Sequence, residues 1–258
     1  MVYCLSLLFT LLTTITPLTR ADYAIAQQAR NEEAVFYYNK GVGYFTEGKY
    51  QEALEAFKQS LRLDPKFMGS RFLLGDTYSA LGQFDEALTV YNELIRDYPK
   101  LPPPYYNRSY THLMIGNGSS AAADAQAVLS MIGWRNDRSQ YMVIVQHFGY
   151  RRAGSATDAA RALDDAAAKS DDKKWPYPVI RYLRHEITAD DLLKSATDNQ
   201  KMTEARAYLG LDLLLSGHAK EALEQFQWVQ TNGRKTYLEY RLSLAELKRA
   251  GNGGVKSK

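Results

Sequence analysis

Residues that could perform catalysis or bind a metal are few in this sequence and lie far apart. The chain has one cysteine, Cys4, so it can form neither an internal disulfide nor a cysteine-ligated zinc site. Nucleophile motifs, helical metal-binding motifs, phosphate loops and dinucleotide-binding glycine motifs do not occur in it. We therefore predict no catalytic residues, no metal site and no cofactor, and a protein that is not an enzyme. The histidines, which form no pair at metal-ligand spacing, are His112, His147, His185 and His218.

Tyrosine is the residue type present in excess, with 19 copies among 258 residues. A tyrosine ring offers a large contact area and a hydrogen-bonding hydroxyl at its tip, which suits recognition of other proteins. The net charge is only +3, and basic residues alternate with acidic ones along the chain. Because nucleic-acid binding needs a clustered basic face, this charge pattern predicts no nucleic-acid partner.

An internal repeat indicates which elements would position these tyrosines. The stretch TEGKYQEALEAFKQSLRLDP, from Thr46 to Pro65, is followed after 34 residues by ALGQFDEALTVYNELIRDYP, from Ala80 to Pro99. Within each copy the apolar residues are three or four positions apart, as on one face of a helix, and a proline ends the copy. Such a helix buries its apolar stripe only by packing on its neighbours, so the pattern predicts a stacked array of helical hairpins.

Small and aromatic residues have complementary positions in such hairpins. Gly41 and Gly75 are expected where the two helices of a hairpin come close, and Ala53 allows the second helix to lie against the first. Phe57 and Tyr91 are expected to fill the space between hairpins. This combination at a period of 34 residues resembles the tetratricopeptide repeat (TPR). The resemblance implies an all-α fold, a solenoid of helix–turn–helix units closed by a carboxy-terminal capping helix.

The resemblance becomes weaker along the chain. We predict three TPR repeats over 34–134, then a divergent helical repeat and a Trp-Pro-Tyr-Pro linker region over 136–201. A TPR-like hairpin and a capping helix are predicted over 203–250. The capping helix, from Tyr237 to Arg249, is expected to cover the last apolar face of the array.

The linker region also has a local structural interpretation. Thr188 can cap a helix that begins at Ala189, since its side chain can accept a hydrogen bond from a backbone N–H in the first turn. Trp175 and Tyr177 are expected to pack between helices. The alternative is that this segment forms a binding site.

The TPR resemblance also implies candidate partner-binding residues, because the first helix of each TPR hairpin lines a concave groove. One TPR class uses lysine, asparagine and arginine there to hold the carboxylate of chaperone tails, and this sequence has no such residues at those positions. A largely aromatic groove instead favours extended peptide segments anchored by apolar or aromatic side chains. The alternative is that several of these rings pack within the array. The candidates from repeats one to three are Tyr38, Val42, Phe45, Phe72, Asp76, Tyr106 and Tyr110, with Ser79 and Leu113 beside them.

The amino terminus carries an apolar run from Val2 to Ile15. The run is shorter than the roughly 20 residues of a transmembrane helix and is followed by small residues, as in a secretory signal peptide. It departs from that pattern in having no lysine or arginine before it, so an uncleaved anchor is the alternative. We predict a signal peptide over 1–26 and export to the periplasm or the cell envelope. Cys4 lies near the start of the run, so it is not placed as the lipoprotein cysteine that follows such a run.

A more specific resemblance concerns the carboxy-terminal half. Trp175 to Ala196, followed by EARAYLGLDLLLSGHAKEALEQFQWV and TYLEYRLSLAELKR, is similar to exported bacterial TPR adaptors of the NlpI type. That family brings cell-wall hydrolases to a protease, so the resemblance implies a non-enzymatic adaptor that binds peptide segments of other proteins. The membrane would be involved only indirectly, and a homodimer is compatible with this role. The alternative function is a structural or regulatory subunit of an envelope enzyme or a polysaccharide-export complex.

Overall fold

The computed structural model of this protein describes residues 20–170 and 174–253. Residues 1–19 of the predicted signal peptide lie outside the described residues, whereas residues 20–26 begin the first helix. The described residues form thirteen helices and no strand, which confirms the predicted all-α fold. None of these helices combines the length and the apolar composition that a bilayer-spanning segment needs. The helices are α1 (Arg20–Thr46), α2 (Tyr50–Leu63), α3 (Met68–Ala80), α4 (Phe84–Asp97), α5 (Pro102–Ile115), α6 (Gly118–Ile132), α7 (Ser139–Arg152), α8 (Ala156–Lys169), α9 (Tyr177–Leu183), α10 (Ala189–Ser195), α11 (Asn199–Leu215), α12 (Ala219–Asn232) and α13 (Leu238–Gly253).

Ten of the helices pair into five hairpins, which are α1–α2, α3–α4, α5–α6, α7–α8 and α11–α12. The first four hairpins stack in chain order, since α2 packs on α3, α4 on α5 and α6 on α7. The short helices α9 and α10 lie between the fourth and fifth hairpins, where α9 contacts α7, α8 and α11. This arrangement is the predicted TPR-type solenoid.

The ends of the helices follow from local chemistry. The turn of each hairpin has a glycine in the left-handed region, with φ of 75° at Gly48 and 74° at Gly82, where a side chain would be strained. Thr188 caps α10 as predicted, because its hydroxyl accepts a hydrogen bond from Asp191 N at 3.1 Å and the Asp191 carboxylate accepts one from Thr188 N at 3.3 Å. The corresponding turn glycines of the other hairpins are Gly116, Gly154 and Gly217.

Close contacts between glycine and an aromatic ring hold three of the hairpins together. A Cβ atom added at Gly41 would lie 2.6 Å from Phe57 Cε1, and one added at Gly75 would lie 2.7 Å from Tyr91 Cε1. The same contact recurs between α11 and α12. The predicted close approach at Gly41 and Gly75 is therefore confirmed. The rings of Phe57 and Tyr91, which were expected between hairpins, each lie against the first helix of their own hairpin.

The main apolar cluster begins at Tyr110 and contains residues of every helix from α5 to α13. Phe148 of α7 stacks on Tyr208 of α11, with ring centroids 6.0 Å apart and planes inclined by 13°. Tyr110 of α5 is fully buried in the same cluster. This core joins the third, fourth and fifth hairpins.

The last helix, α13, covers the fifth hairpin as the predicted capping helix would, and it also extends along the array. Helix α13 packs on α11 and α12 but also contacts α5, and it reaches the first two hairpins. Arg241 Nη1 donates a hydrogen bond to Asp76 O of α3 at 3.3 Å, and its guanidinium lies 5.5 Å from the ring centroid of Phe45 in α1. Near the other end of α13, Glu246 pairs with Arg152 of α7. Helix α13 therefore crosses the concave face, by which we mean the surface formed by α1, α3, α5, α7 and α11.

Candidate functional site

The predicted groove residues all lie on first helices of hairpins, but the structure does not bring them together as one open groove. On α1, the Tyr38 ring packs edge-on against Phe67 with centroids 5.0 Å apart, so it joins the first hairpin to the start of the second. Phe45 packs against Tyr50 at 5.3 Å and is faced by Arg241 of α13. The remaining residues of the first two hairpins, Val42 and Phe72, are partly exposed.

Asp76 joins helices within the array. The Tyr91 hydroxyl donates to Asp76 Oδ1 at 2.6 Å, and the Asn107 amide donates to the same oxygen. Burial raises the pKa of Asp76 above its ordinary value, while the Arg241 charge and these two hydrogen bonds oppose the rise. The side chain thus links α3, α4 and α5, and its backbone carbonyl accepts from α13.

Tyr106 and Tyr110, one turn apart on α5, have different surroundings. Tyr110 is fully buried, and its hydroxyl lies 2.8 Å from that of Tyr208 and 3.0 Å from Glu239 Oε1. Tyr106 is partly exposed, with its ring centroid 5.4 Å from that of Tyr110. Of this pair, only Tyr106 offers its ring to a partner. The role of the predicted groove residues in partner binding stays a prediction.

Two buried glutamates lie behind these tyrosines. Glu239 of α13 is 4% exposed and accepts hydrogen bonds on Oε1 from Tyr208 at 2.6 Å and from Tyr110. Glu204 of α11 is 1% exposed and accepts on Oε2 from the Tyr141 hydroxyl at 2.9 Å and from Trp175 Nε1 at 2.6 Å. We call these six residues the tyrosine–glutamate cluster: Tyr110, Tyr141, Trp175, Glu204, Tyr208 and Glu239.

The two carboxyl groups are harder to ionise than ordinary glutamates. Burial, together with the nearby charge of Glu239, raises the pKa of Glu204 to about 7. Burial also raises the pKa of Glu239, against the hydrogen bonds from Tyr208 and Tyr110 and the charge of Arg241. The ion pairs between described residues include neither glutamate.

A cavity of about 240 Å³ opens on the concave face above this cluster, and we call it the tyrosine pocket. Tyr106, Tyr141 and Tyr237 form its walls, and Glu204 and Glu239 lie at its base. The Tyr106 ring also lines a second depression of about 310 Å³, together with prolines and aliphatic residues of α5 and α6 and with Asn136 and Arg138. Arg138 lies over the Tyr106 ring, 5.2 Å from its centroid. Tyr106 thus separates two neighbouring hollows.

A further cleft of about 370 Å³ lies between α7, α8, α11 and the loop after α9. His147 lines it and is neutral near pH 7, because burial lowers its pKa to about 4. Its Nδ1 lies 3.0 Å from Ala159 O, which fixes Nδ1 as the donor since a carbonyl oxygen only accepts. The charged residues of this cleft are already paired, Arg151 with Asp212 and Arg184 with Asp164. Within the described ranges, no three histidine, cysteine, aspartate or glutamate residues are placed to hold a metal ion.

The sequence predictions included Tyr106 and Tyr110 but missed the glutamates and Tyr141, Tyr208 and Tyr237. A signal for Glu204 was present, since it precedes Tyr208 by four residues and so lies on the same face of α11. An acidic residue on the buried face of a helix needs hydrogen-bond donors from other elements. The sequence alone does not show which elements supply them.

Comparisons with known proteins agree with the architecture. Residues 44–109 match the tetratricopeptide repeat family model. A solved structure of MamA from Desulfovibrio magneticus RS-1, beginning at its residue 41, is similar with a TM-score of 0.50 at 17% identity, over 77% of this chain and 94% of that chain. The structure of a double mutant of MamA from RS-1 also has a TM-score of 0.50 at 15% identity, over 84% of this chain and 96% of that chain. The structure of a thermophilic TPR protein of Thermus thermophilus has a TM-score of 0.48 at 20% identity, over 83% of this chain and 99% of that chain. At these identities the similarity concerns the fold.

Proposed function

We propose that this protein is a non-enzymatic scaffold that binds a segment of a partner protein on the concave face, around Tyr106. The observation that carries the proposal is the partly exposed Tyr106 ring between two hollows of about 240 and 310 Å³. Interface energy is usually concentrated in a few aromatic anchors that fit into pockets. A hollow on each side of one ring lets an extended segment place side chains on both sides of it.

The position of α13 supports this choice of surface. Around Phe45 and Asp76 the concave face is in contact with Arg241, and around Tyr110 it is in contact with Glu239. The region around Tyr106 is bordered by the residues just before and at the start of α13, including Tyr237. A partner segment can therefore reach Tyr106 without displacing α13.

We further propose that the scaffold works in the bacterial cell envelope, as an adaptor of the NlpI type that brings two proteins together. The apolar run from Val2 to Ile15 and the similarity of the Trp175–Ala196 segment to such adaptors support this proposal. The partners would present peptide segments, as a cell-wall hydrolase or a protease can.

Crosslinking and capture from the native envelope would identify partners, and Tyr106→Ala tests where they bind. We expect this variant to lose about 2 kcal/mol of binding free energy, or about thirtyfold in affinity, for a purified partner. Tyr105→Ala is the matched control, because it removes the same ring one position earlier, where the hydroxyl instead donates to Pro99 O at 3.2 Å. If Tyr106→Ala and the wild type bind the partner with equal affinity, binding on the concave face around Tyr106 is contradicted.

Tyr110→Ala belongs in a separate experiment, since this ring is fully buried. Its loss should lower the free energy of unfolding by about 3–5 kcal/mol, as for other large core residues. Reversible binding of at least two proteins would support an adaptor, whereas permanent association with a single complex would contradict it.

A further inference from the structure

We infer that the tyrosine pocket accepts a cationic side chain of the partner segment, the ammonium of a lysine or the guanidinium of an arginine. This inference rests on the proposed function of the concave face and specifies the chemistry of the partner. The hydrogen-bond polarity, the charge and the size of the pocket each favour such a group.

The pocket offers hydrogen-bond acceptors, because the donors at its base are already engaged. The Tyr141 hydroxyl hydrogen and the Trp175 Nε1 hydrogen both point to Glu204 Oε2, at 2.9 and 2.6 Å. The hydroxyls of Tyr110 and Tyr208 lie within hydrogen-bond distance of Glu239 Oε1 and of each other, so their two hydrogens are also engaged. At the base of the pocket, oxygen lone pairs and ring faces therefore remain for a donor group of a ligand.

The charge at the base of the pocket favours a cation over a neutral donor. Glu204 and Glu239 interact unfavourably with each other, and burial makes it costly for either to ionise. Two cationic side chains lie nearby. The charge of Arg241 on α13 lowers the pKa of Glu239, but its guanidinium donates its hydrogen bond to Asp76 O. Arg138 lies over the Tyr106 ring. A cation that enters between the tyrosine rings would stabilise both carboxylates, whereas an anion would be repelled and an apolar side chain would leave them uncompensated.

The size of the pocket indicates one side chain and not a free small molecule. Its volume of about 240 Å³ is below the roughly 300–1,000 Å³ of typical small-molecule sites. A lysine or arginine stem can lie along the rings of Tyr106 and Tyr237 while its charged end points to the base. The neighbouring hollow, which Tyr106 also lines, would then receive an adjacent residue of the same segment.

The test uses the full chain and the peptide acetyl-Gly-Lys-Gly-amide, with norleucine in place of lysine as the uncharged control. The indole N–H resonance of Trp175 reports binding, because that group donates to Glu204. We expect saturable shifts with the lysine peptide and at least about tenfold weaker binding of the norleucine peptide, from the lost cation–π and charge interactions. An arginine peptide should behave like the lysine peptide.

The Glu204→Gln variant keeps an oxygen acceptor for Trp175 and removes the charge, and it should bind the lysine peptide about tenfold more weakly. Glu224→Gln, an exposed position on α12, is the matched control and should bind like the wild type. Wild-type affinity should rise between about pH 6 and pH 8 as Glu204 ionises, and the Glu204→Gln variant should lose much of that rise.

Equal binding of the lysine and norleucine peptides, or unchanged binding by a folded Glu204→Gln variant, would overturn the inference. If the lysine peptide does not bind but Tyr106→Ala still weakens binding of a captured partner, the result supports the scaffold function and contradicts the cation-binding pocket. If the lysine peptide binds through Glu204 but Tyr106→Ala weakens binding of no partner, the result supports the cation-binding pocket and contradicts the proposed scaffold surface.

Discussion

Two alanine substitutions in α1 should differ clearly in their effect on the stability of the protein. A Cβ atom at Gly41 would lie 2.6 Å from Cε1 and 2.8 Å from Cδ1 of Phe57, whose ring is fully buried. A Cβ atom at Gly43, two residues further along the same helix, would meet nothing within 4 Å. The pair therefore separates the helix–ring contact from the general effect of replacing a helical glycine.

The expected magnitudes follow from two terms. Replacing a glycine inside a helix with alanine stabilises it by up to about 1 kcal/mol, and this gain is common to both variants. Only at Gly41 must the Phe57 ring move aside, and overpacking of this kind costs about 1–3 kcal/mol. Gly43→Ala should thus be more stable than the wild type, and Gly41→Ala should be less stable than Gly43→Ala by about 1–3 kcal/mol, since the common gain cancels.

Urea unfolding followed by circular dichroism measures both variants under the same conditions. Adding Phe57→Leu to each variant supplies the control, because a smaller side chain makes room for the new methyl group. The Phe57→Leu change should cost less in the Gly41→Ala background than in the Gly43→Ala background. Equal stability of Gly41→Ala and Gly43→Ala would refute the role assigned to the glycine–aromatic contact in all three hairpins.

Two further predictions concern pH and processing. The pKa of Glu204 is raised from 4.5 to about 7 in the folded chain, so its contribution to stability is fully present below pH 4.5 and is lost as the pH rises through about 7. Melting temperatures measured over this range should fall less steeply for Glu204→Gln than for the wild type, and identical slopes would contradict the raised pKa. Amino-terminal sequencing of the native protein should find a start near Asp22 or Gln27 in an envelope fraction, whereas an intact Met1 in a cytoplasmic fraction would exclude export.

Features that depend on residues close in sequence could be predicted. The close approach of the two helices at Gly75 recurs with the repeat, so the spacing of residue types was enough to indicate it. The contact of Gly75 with Tyr91 was not indicated, since Tyr91 was expected between hairpins. The capping of α10 by Thr188 depends on the next three residues. Hairpin packing in a repeat array is a sum of such local contacts, which is why the fold could be inferred from two clear copies of the repeat.

The candidate site depends on contacts between distant parts of the chain, and these could not be predicted in the same way. Tyr110 and Glu239 are 129 positions apart, and Arg241 and Asp76 are 165 positions apart. Helical periodicity places Glu239 on a face of α13 but does not show which surface that face meets. The sequence therefore indicated the concave residues without showing that α13 contacts several of them.

Helix α13 determines which part of the concave face a partner can reach. Its buried charged residues each have a partner in a different hairpin: Arg241 in the second, Glu239 in the third and fifth, and Glu246 in the fourth. Leaving a buried polar or charged group without its hydrogen-bond or ion-pair partner is destabilising, so these contacts favour one position of α13 along the array. In that position α13 begins at Leu238, beside the Tyr106 ring. The proposed binding surface thus combines residues from α5, α7, α11 and the start of α13, and a change in the docking of α13 would alter it without a change in Tyr106.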